Sequence, residues 1–230
     1  MKKEQEITNS RAVTKEVVAQ VANRKLVARR HEQIVHAACE LFSRKGYHPT
    51  TMREISTSSG INLSYLYKYV SSKDDILYLF YEHLHKQWTP IYSSLEDKNS
   101  DPLDQLKDFL RSMLEVIHKF KDEMKTMYSE SRHLERDSLH AVLSTESGMI
   151  KSIEKVIIRG VKKGRFKTKD PFFAANIIQY LLVIEALRGW NLKDQYTFSR
   201  IVEMLEDFVL SALGVEFRES HCEKGEVPLP

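Results

Sequence analysis

Cysteine, proline and glycine are all scarce in this chain, with two, six and eight residues respectively out of 230. Two cysteines cannot build a disulfide framework. Cys39 lies among apolar residues on a predicted helix, where a buried reduced thiol is the default. The prolines (Pro49, Pro90, Pro102, Pro171, Pro228, Pro230) fall where apolar periodicities break. No segment keeps a two-residue alternation between turn signals, so no strand is expected. The chain also lacks a glycine-rich phosphate loop, a nucleophile elbow and any carboxylate pair beyond helix-surface acids. Neither His83/His85 nor His221/Cys222 has a spacing that builds a metal site by itself. An enzyme is therefore not expected, and no catalytic residue, metal ligand or cofactor is assigned. Long apolar runs are missing too. The N-terminus, MKKEQEITNSR, is polar with no apolar core behind it, unlike a signal peptide. The uncharged stretch from Phe172 to Ile184 includes Asn176 and Gln179 and is too short to span a bilayer. No membrane association is expected, and the expected location is cytoplasmic.

What remains is a soluble all-α composition, 42% hydrophobic and 29% charged. The net charge of +3 hides an asymmetry: residues 1–73 hold thirteen Lys and Arg against six Asp and Glu, leaving the rest of the chain net negative. Positive charge gathered at one end is the footprint of a nucleic-acid contact, because each neutralised phosphate releases a counterion. A solvated basic helix face would give the same balance. Residues 1–10 read as a polar tail. From about Arg11 to Lys45, Ile34, Ala38, Leu41 and Phe42 mark one helical face that Gly46 closes. After Asp101-Pro102 a stripe runs through Leu106, Phe109, Leu110, Met113, Ile117, Phe120, Met124 and Met127. Residues 146–163 form a further helix closed by Gly164. Pro171 opens a helix apolar nearly all round, which must be covered on more than one side. A last helix ends at Gly214.

Residues 50–77 are the most informative stretch. Thr51 and Glu54 form a capping box that starts a short helix. Ser59-Gly60 turns the chain, Asn62 caps a second helix from Leu63 to Val70, and Ser71 to Asp75 cap a long one running towards Trp88. This is a helix-turn-helix whose second helix carries Ser64, Tyr65, Tyr67, Lys68 and Tyr69, with Leu66 facing inward. Phenol hydroxyls and an ammonium suit phosphate oxygens and base edges. Some of these tyrosines are alternatively core residues, and Tyr67 is the one whose ring is expected to pack inward.

Arg30, Ile34, Ala37, Ala38, Leu41, Phe42, Gly46, Tyr47, Thr50, Thr51, Ile55, Gly60, Tyr67, Tyr69, Lys73 and Leu77 stand in the order and spacing of the DNA-binding domain of the TetR (tetracycline-repressor) family. The match covers about residues 29–77, and the chain closely resembles that family there. Ser56 and Ser59 replace the usual small alanines, Val70 replaces an aromatic, and Asn62 replaces a serine as N-cap. The resemblance implies that Arg53, Leu63, Ser64, Tyr65 and Lys68 touch base edges, while Thr51, Tyr67, Tyr69 and Lys73 grip the backbone. Arg53 suits a bidentate guanine contact, with an intrahelical salt bridge as its alternative. Arg11, Lys15, Arg24, Lys25, Arg29 and Arg30 belong to a long basic N-terminal extension that either follows DNA or is simply solvated.

The expected division is a tail and basic helical extension (1–28), a three-helix helix-turn-helix domain (29–75), a larger helical ligand-binding and dimerisation domain (76–214) and a polar tail (215–230). In the resembling family the larger domain holds a small-molecule pocket and the dimer interface. Helices at about 172–190 and 198–213 carry more apolar surface than one bundle needs, which suits a homodimer with a four-helix interface. Pocket candidates are Trp88, Phe109, Met113, Ile117, Phe120, Met127, Tyr128, Tyr180, Leu187 and Trp190, a set suited to an apolar ligand. Arg132, His133 and Arg188 are candidate anchors for an acidic group. The segment ALRGWNLKD is similar to family members that answer to acyl-CoA or fatty-acid-like molecules. Together these readings imply a homodimeric repressor on a palindromic double-stranded operator, released by a small-molecule effector. The alternative is a helical protein-interaction module that does not bind DNA.

Overall fold

A computed structural model describes residues 15–215; the expected N-terminal tail, Arg11 and the tail beyond Val215 lie outside them. Among the described residues there are ten α-helices, one 3-10 turn and no strand. Helices α1 (Arg24–Lys45), α2 (Met52–Ser59) and α3 (Leu63–Leu66) precede the long α4 (Lys73–Ser94). Then follow α5 (Pro102–Lys119), α6 (Lys121–Glu130), the 3-10 turn Ser131–His133 and α7 (Arg136–Lys162). Helices α8 (Pro171–Leu182), α9 (Ile184–Leu192) and α10 (Phe198–Ala212) complete the chain.

The first helix begins later than its periodicity suggests. Asn23 caps α1 by accepting from the Leu26 amide, and residues 15–23 are irregular rather than helical. The reason is tertiary competition for the backbone. The Lys15 amide donates to the Tyr78 hydroxyl at 3.1 Å and the Gln20 amide to the Lys68 carbonyl at 2.8 Å. Val17 and Val21 pack on the core, and β-branched residues lose little by leaving a helix. The N-terminal segment is therefore a strap across α3 and α4, not a helical extension.

Four other boundaries differ from the sequence pattern. Helix α4 continues through Pro90 to Ser94; Pro90 is exposed, so the carbonyl it leaves unpaired faces water. The stripe from Leu106 to Met127 is broken at Phe120, where α5 hands over to α6. Helix α7 starts ten residues before the expected 146, at Arg136. The apolar segment after Pro171 breaks at Val183, and α8 and α9 meet there at 51°.

Helix α4 is the centre of the packing. Its buried Ile76, Leu77, Phe80 and Leu84 meet α1 near its start, and α5 and α7 further on. Behind them α7 packs along α8, while Phe166 folds back so closely on Gly160 that a Cβ there would lie 2.0 Å from its ring. Side-chain bonds also join α1–α3 to the later helices: Ser43 meets Thr126 at 2.9 Å, and Tyr47 stacks on His133. No single helix among the described residues is long and apolar enough to cross a membrane; α8 and α9 pass that test only as a bent pair.

Candidate DNA-binding surface and effector cavity

The turn between α2 and α3 is built by local chemistry. The Thr51 hydroxyl accepts from the Glu54 amide at 3.2 Å while Glu54 accepts from the Thr51 amide at 2.8 Å. A hydrogen bond from Lys45, followed by those from Thr51, holds the Glu54 carboxyl down to about 2. Gly60 then takes a left-handed conformation, φ 65°, that reverses the chain. Asn62 caps α3 through the Ser64 amide at 3.0 Å.

Helix α3 lasts one turn, ending at Leu66 rather than Val70, and residues 67–69 continue as a tight turn. Leu66 is fully buried and pins this segment against α2. Outward from it stand Ser64, Tyr65, Tyr67 and Lys68, with Leu63 half-buried beside them. Tyr65 is 55% exposed and the Lys68 ammonium lies 4.5 Å from its ring centre. Arg53 and Thr51 are exposed on neighbouring α2. Since Glu54 is taken by Lys45 at 2.6 Å, no acid pairs with Arg53 and its guanidinium has no partner among the described residues. Six polar or aromatic side chains thus face the same solvent; the Thr51 and Ser64 hydroxyls donate to Glu54 and Asn62, and the donors of Arg53, Lys68 and the two tyrosines point outward.

Three expectations for this surface change. Tyr67, read as the inward ring, is 45% exposed, whereas Tyr69, read as a backbone grip, is buried at 5%. Tyr69 stands three residues after the buried Leu66 and shares its face, while Tyr67 lies one step of about 100° away. Lys73, also read as a backbone grip, directs its ammonium to the carbonyls of Tyr47, His48 and Thr50 at 2.8, 3.3 and 2.9 Å. It lies over the Tyr47 ring as well. An ammonium has three donors, so Lys73 fastens the α1–α2 loop to α4 instead. Burial, then the nearby Lys45, lowers its pKa.

The strap adds a second fastening at the same helix. The Lys15 ammonium lies 2.8 Å from both Asp74 Oδ2 and Asp75 Oδ1, and donates to Ser138 Oγ on α7 at 2.8 Å. Burial alone would raise the Asp74 carboxyl, but hydrogen bonds from Lys15, Ser138 and the Glu135 amide outweigh it and hold it low.

Further along α4 lies a cavity of about 370 Å³, within the range that holds a small ligand. Tyr81, His85, Trp88 and Tyr92 of α4 form one wall; Met113, Ile117, Met124, Met127 and Tyr128 of α5 and α6 form the next. Met149 and Glu146 of α7, with Gln179 and Leu182 of α8, close it. Five of the ten sequence candidates line it: Trp88, Met113, Ile117, Met127 and Tyr128. The other five do not. Phe109 is buried beneath Tyr92, their ring centres 5.1 Å apart. Phe120 and Leu187 are packing residues at the edge of the core. Tyr180 and Trp190 point to solvent, 60% and 66% exposed. Arg132, His133 and Arg188 are also absent from the lining.

Polar groups in the cavity come from residues whose role the apolar pattern does not reveal. The Tyr92 hydroxyl donates to Gln179 at 2.5 Å, and the Tyr81 hydroxyl to the Met127 carbonyl at 2.8 Å. Glu146 has no hydrogen-bond or ion-pair partner among the described residues, and burial raises its pKa. Burial first, then the charge of Glu146, raises the Tyr128 hydroxyl. Burial also lowers His85, favouring its neutral form.

Comparison with known proteins agrees with this layout. The model for bacterial regulatory proteins of the tetR family matches residues 34–78, and that for the tetracyclin repressor-like C-terminal domain matches 99–184. The HTH-type transcriptional regulator HbdR of Aromatoleum sp. (strain CIB) is 25% identical over 183 residues, 80% of each chain. A regulatory protein of the family from Rhodococcus RHA1 superposes with a TM-score of 0.74 at 20% identity, covering 82% of this chain and 98% of that one. AibR, solved in complex with isovaleryl coenzyme A and operator DNA, superposes with a TM-score of 0.68 at 16% identity, covering 78% and 97%. The two family models, in register with the capped turn of α2–α3 and with the helices that enclose the cavity, give the conclusion: the chain belongs to the tetR family of DNA-binding bacterial transcriptional regulators.

Proposed function

We propose that the protein is a homodimeric repressor, acting in the cytoplasm on a palindromic operator and released from it by an apolar effector held in the α4–α8 cavity. The observation that carries the DNA contact is the free face around α3: Tyr65, Tyr67, Lys68 and the unpaired Arg53 stand outward while Leu66 anchors them from behind. Lys68 and Arg53 suit phosphate and guanine, and the tyrosines suit phosphate oxygens and thymine methyls. The proposed division of labour follows the sequence: residues 29–75 for DNA, and 76–214 for effector and dimer.

Support for pairing comes from α8, where Phe173, Ile177 and Tyr180 form a stripe at helical spacing, each 42–63% exposed. A segment apolar on all sides needs cover, and a second copy would supply it with two-fold symmetry. Such a dimer presents two α3 surfaces, which must lie about 34–36 Å apart to enter successive major grooves. Helix α4 carries the signal. It is fastened to the α1–α2 loop by Lys73 and to the N-terminal strap and α7 by Lys15, and about 22 Å along it Trp88 meets the cavity. An effector that prefers one position of α4 lowers operator affinity by its differential affinity for the two states.

A second reading takes the effector to be acyl-CoA or fatty-acid-like, favoured by AibR, whose solved complex holds isovaleryl coenzyme A. In that case the acyl chain alone enters the cavity, because no lysine or arginine lines it to meet phosphate or carboxylate. The alternative of a protein-interaction module without DNA contact is separated by one measurement. Fluorescence anisotropy of DNA upstream of the protein's own gene should rise with a two-copy stoichiometry by native mass, and Tyr65→Ala with Lys68→Ala should remove the rise without changing the thermal melt. Binding that survives both substitutions overturns the α3 docking surface.

A further inference from the structure

We propose that the ligand fitted by the α4–α8 cavity is a lipophilic cation, an ammonium or protonated amine whose nitrogen lies beside the Glu146 carboxylate and against the faces of Trp88 and the surrounding tyrosines. This rests on reading the cavity as the effector site, and it replaces the uncharged and acyl effectors considered above with a positively charged one.

The charges around the cavity are of one sign. Its lining includes the carboxylates Glu82, Glu96 and Glu146 and no lysine or arginine. Glu82 accepts from the Tyr78 hydroxyl at 3.3 Å, and Glu96 is exposed at the rim. Glu146 is the carboxylate left without a partner, on the inner side, with Thr145 and Met149 beside it. Glu146 is half-buried, and a carboxylate even partly withdrawn from water gains from a cation or donors that compensate it. Here none of the described side chains does so. Burial raises its pKa, the response of an acid lacking a counter-charge.

The rest of the lining completes a cation site. Tyr81, Tyr92 and Tyr128 line the same cavity as Glu146. Trp88 lies in the same wall, with the His85 ring edge-on to it at 6.4 Å between ring centres. Electron-rich ring faces attract a desolvated ammonium. Met113, Met149 and Ile117 offer the adaptable apolar surface that an alkyl or aryl body requires. An ionised carboxylate ligand would meet Glu146 as a like charge, which is how such a site rejects anions.

The test uses the full chain and three probes of one chain length: decyltrimethylammonium, decanol and decanoate, titrated by calorimetry, with operator release followed by anisotropy. The cation should bind about tenfold or more tightly than decanol, and decanoate least. Glu146→Gln keeps the shape of the side chain; it should weaken the cation about tenfold and leave decanol within about twofold. Glu146→Ala serves as a second variant if the first melts early. Decanoate binding as well as the cation, or an unchanged cation affinity in a folded Glu146 variant, overturns the proposal. If cation and decanol bind equally and both release DNA, the charge assignment falls while the effector cavity stands. If the cation binds selectively through Glu146 but the operator is retained, the ligand class stands and the release mechanism falls. If no probe binds, both fall.

Discussion

Lys15, in the N-terminal strap, places its ammonium 2.8 Å from the Asp74 carboxylate at the first turn of α4, and the same ammonium reaches Ser138 on α7. One exposed-looking residue outside the helix-turn-helix thereby ties three segments together. Asp74 is almost fully buried, with 3% of its side chain exposed, while Lys15 keeps 21%. Removing the cation leaves Asp74 and Asp75 side by side without it. Lys15→Met should therefore cost about 2–3 kcal/mol in urea denaturation at neutral pH. The cost should fade in acid. Because the Asp74 pKa is lowered in the folded protein, its contribution is present above the ordinary carboxylate range and lost as pH falls through the depressed value. A Lys15→Met penalty that persists unchanged at the acid end would contradict this pairing.

Arg53 and Lys68 should fail differently on DNA. Arg53→Lys keeps the charge but loses the planar fork, and should cost about 1–3 kcal/mol on the cognate site and little on random DNA. Lys68→Ala should weaken all sequences alike and reduce the salt slope of binding by about one per contact. Anisotropy at several salt concentrations separates the two.

Phe173→Glu or Ile177→Glu, on the exposed stripe of α8, should turn a dimer into a monomer by light scattering, with a loss of about 2–4 kcal/mol of pairing free energy. Operator affinity should drop with it, while the circular dichroism of the helices is retained. Dimers that persist with either substitution would place the interface elsewhere.

Gly160→Ala tests a packing contact against a propensity. Alanine favours a helix over glycine by about 1 kcal/mol, but its Cβ would lie 2.0 Å from the buried Phe166 ring. Overpacking of that kind costs about 1–3 kcal/mol. The net effect should be a lower melting temperature, and Phe166→Leu in the same chain should recover part of it.

The helix-turn-helix is largely legible in the sequence because its determinants are local. The Thr51–Glu54 box, the left-handed Gly60 and the Asn62 cap each act within a few residues. Where tertiary bonds decide, the pattern misleads. The strap at 15–23 has helical periodicity, yet its amides bond to Tyr78 and Lys68. Tyr67 and Tyr69 are the reverse case: with Leu66 inward, a step of about 100° per residue already puts Tyr69 on its face and Tyr67 off it. Lys73 resembles a phosphate contact by position, and only the folded loop brings three carbonyls to it. For the cavity, an apolar stripe does not distinguish a residue facing empty space from one facing a neighbour, which is why Phe109 and Phe120 were expected there. Glu146, Tyr81, Tyr92 and Gln179 carry no such mark, because polarity in a sequence has no depth.

Helix α8 is only one helix thick, yet Gln179 and Leu182 border the cavity while Phe173, Ile177 and Tyr180 look the opposite way. A molecule filling the space on one side and a neighbouring subunit on the other would press on the same rod. The two chambers of a pair would then be mechanically in series. Filling the first would alter the second, and derepression would rise more steeply with inducer concentration than independent saturation allows.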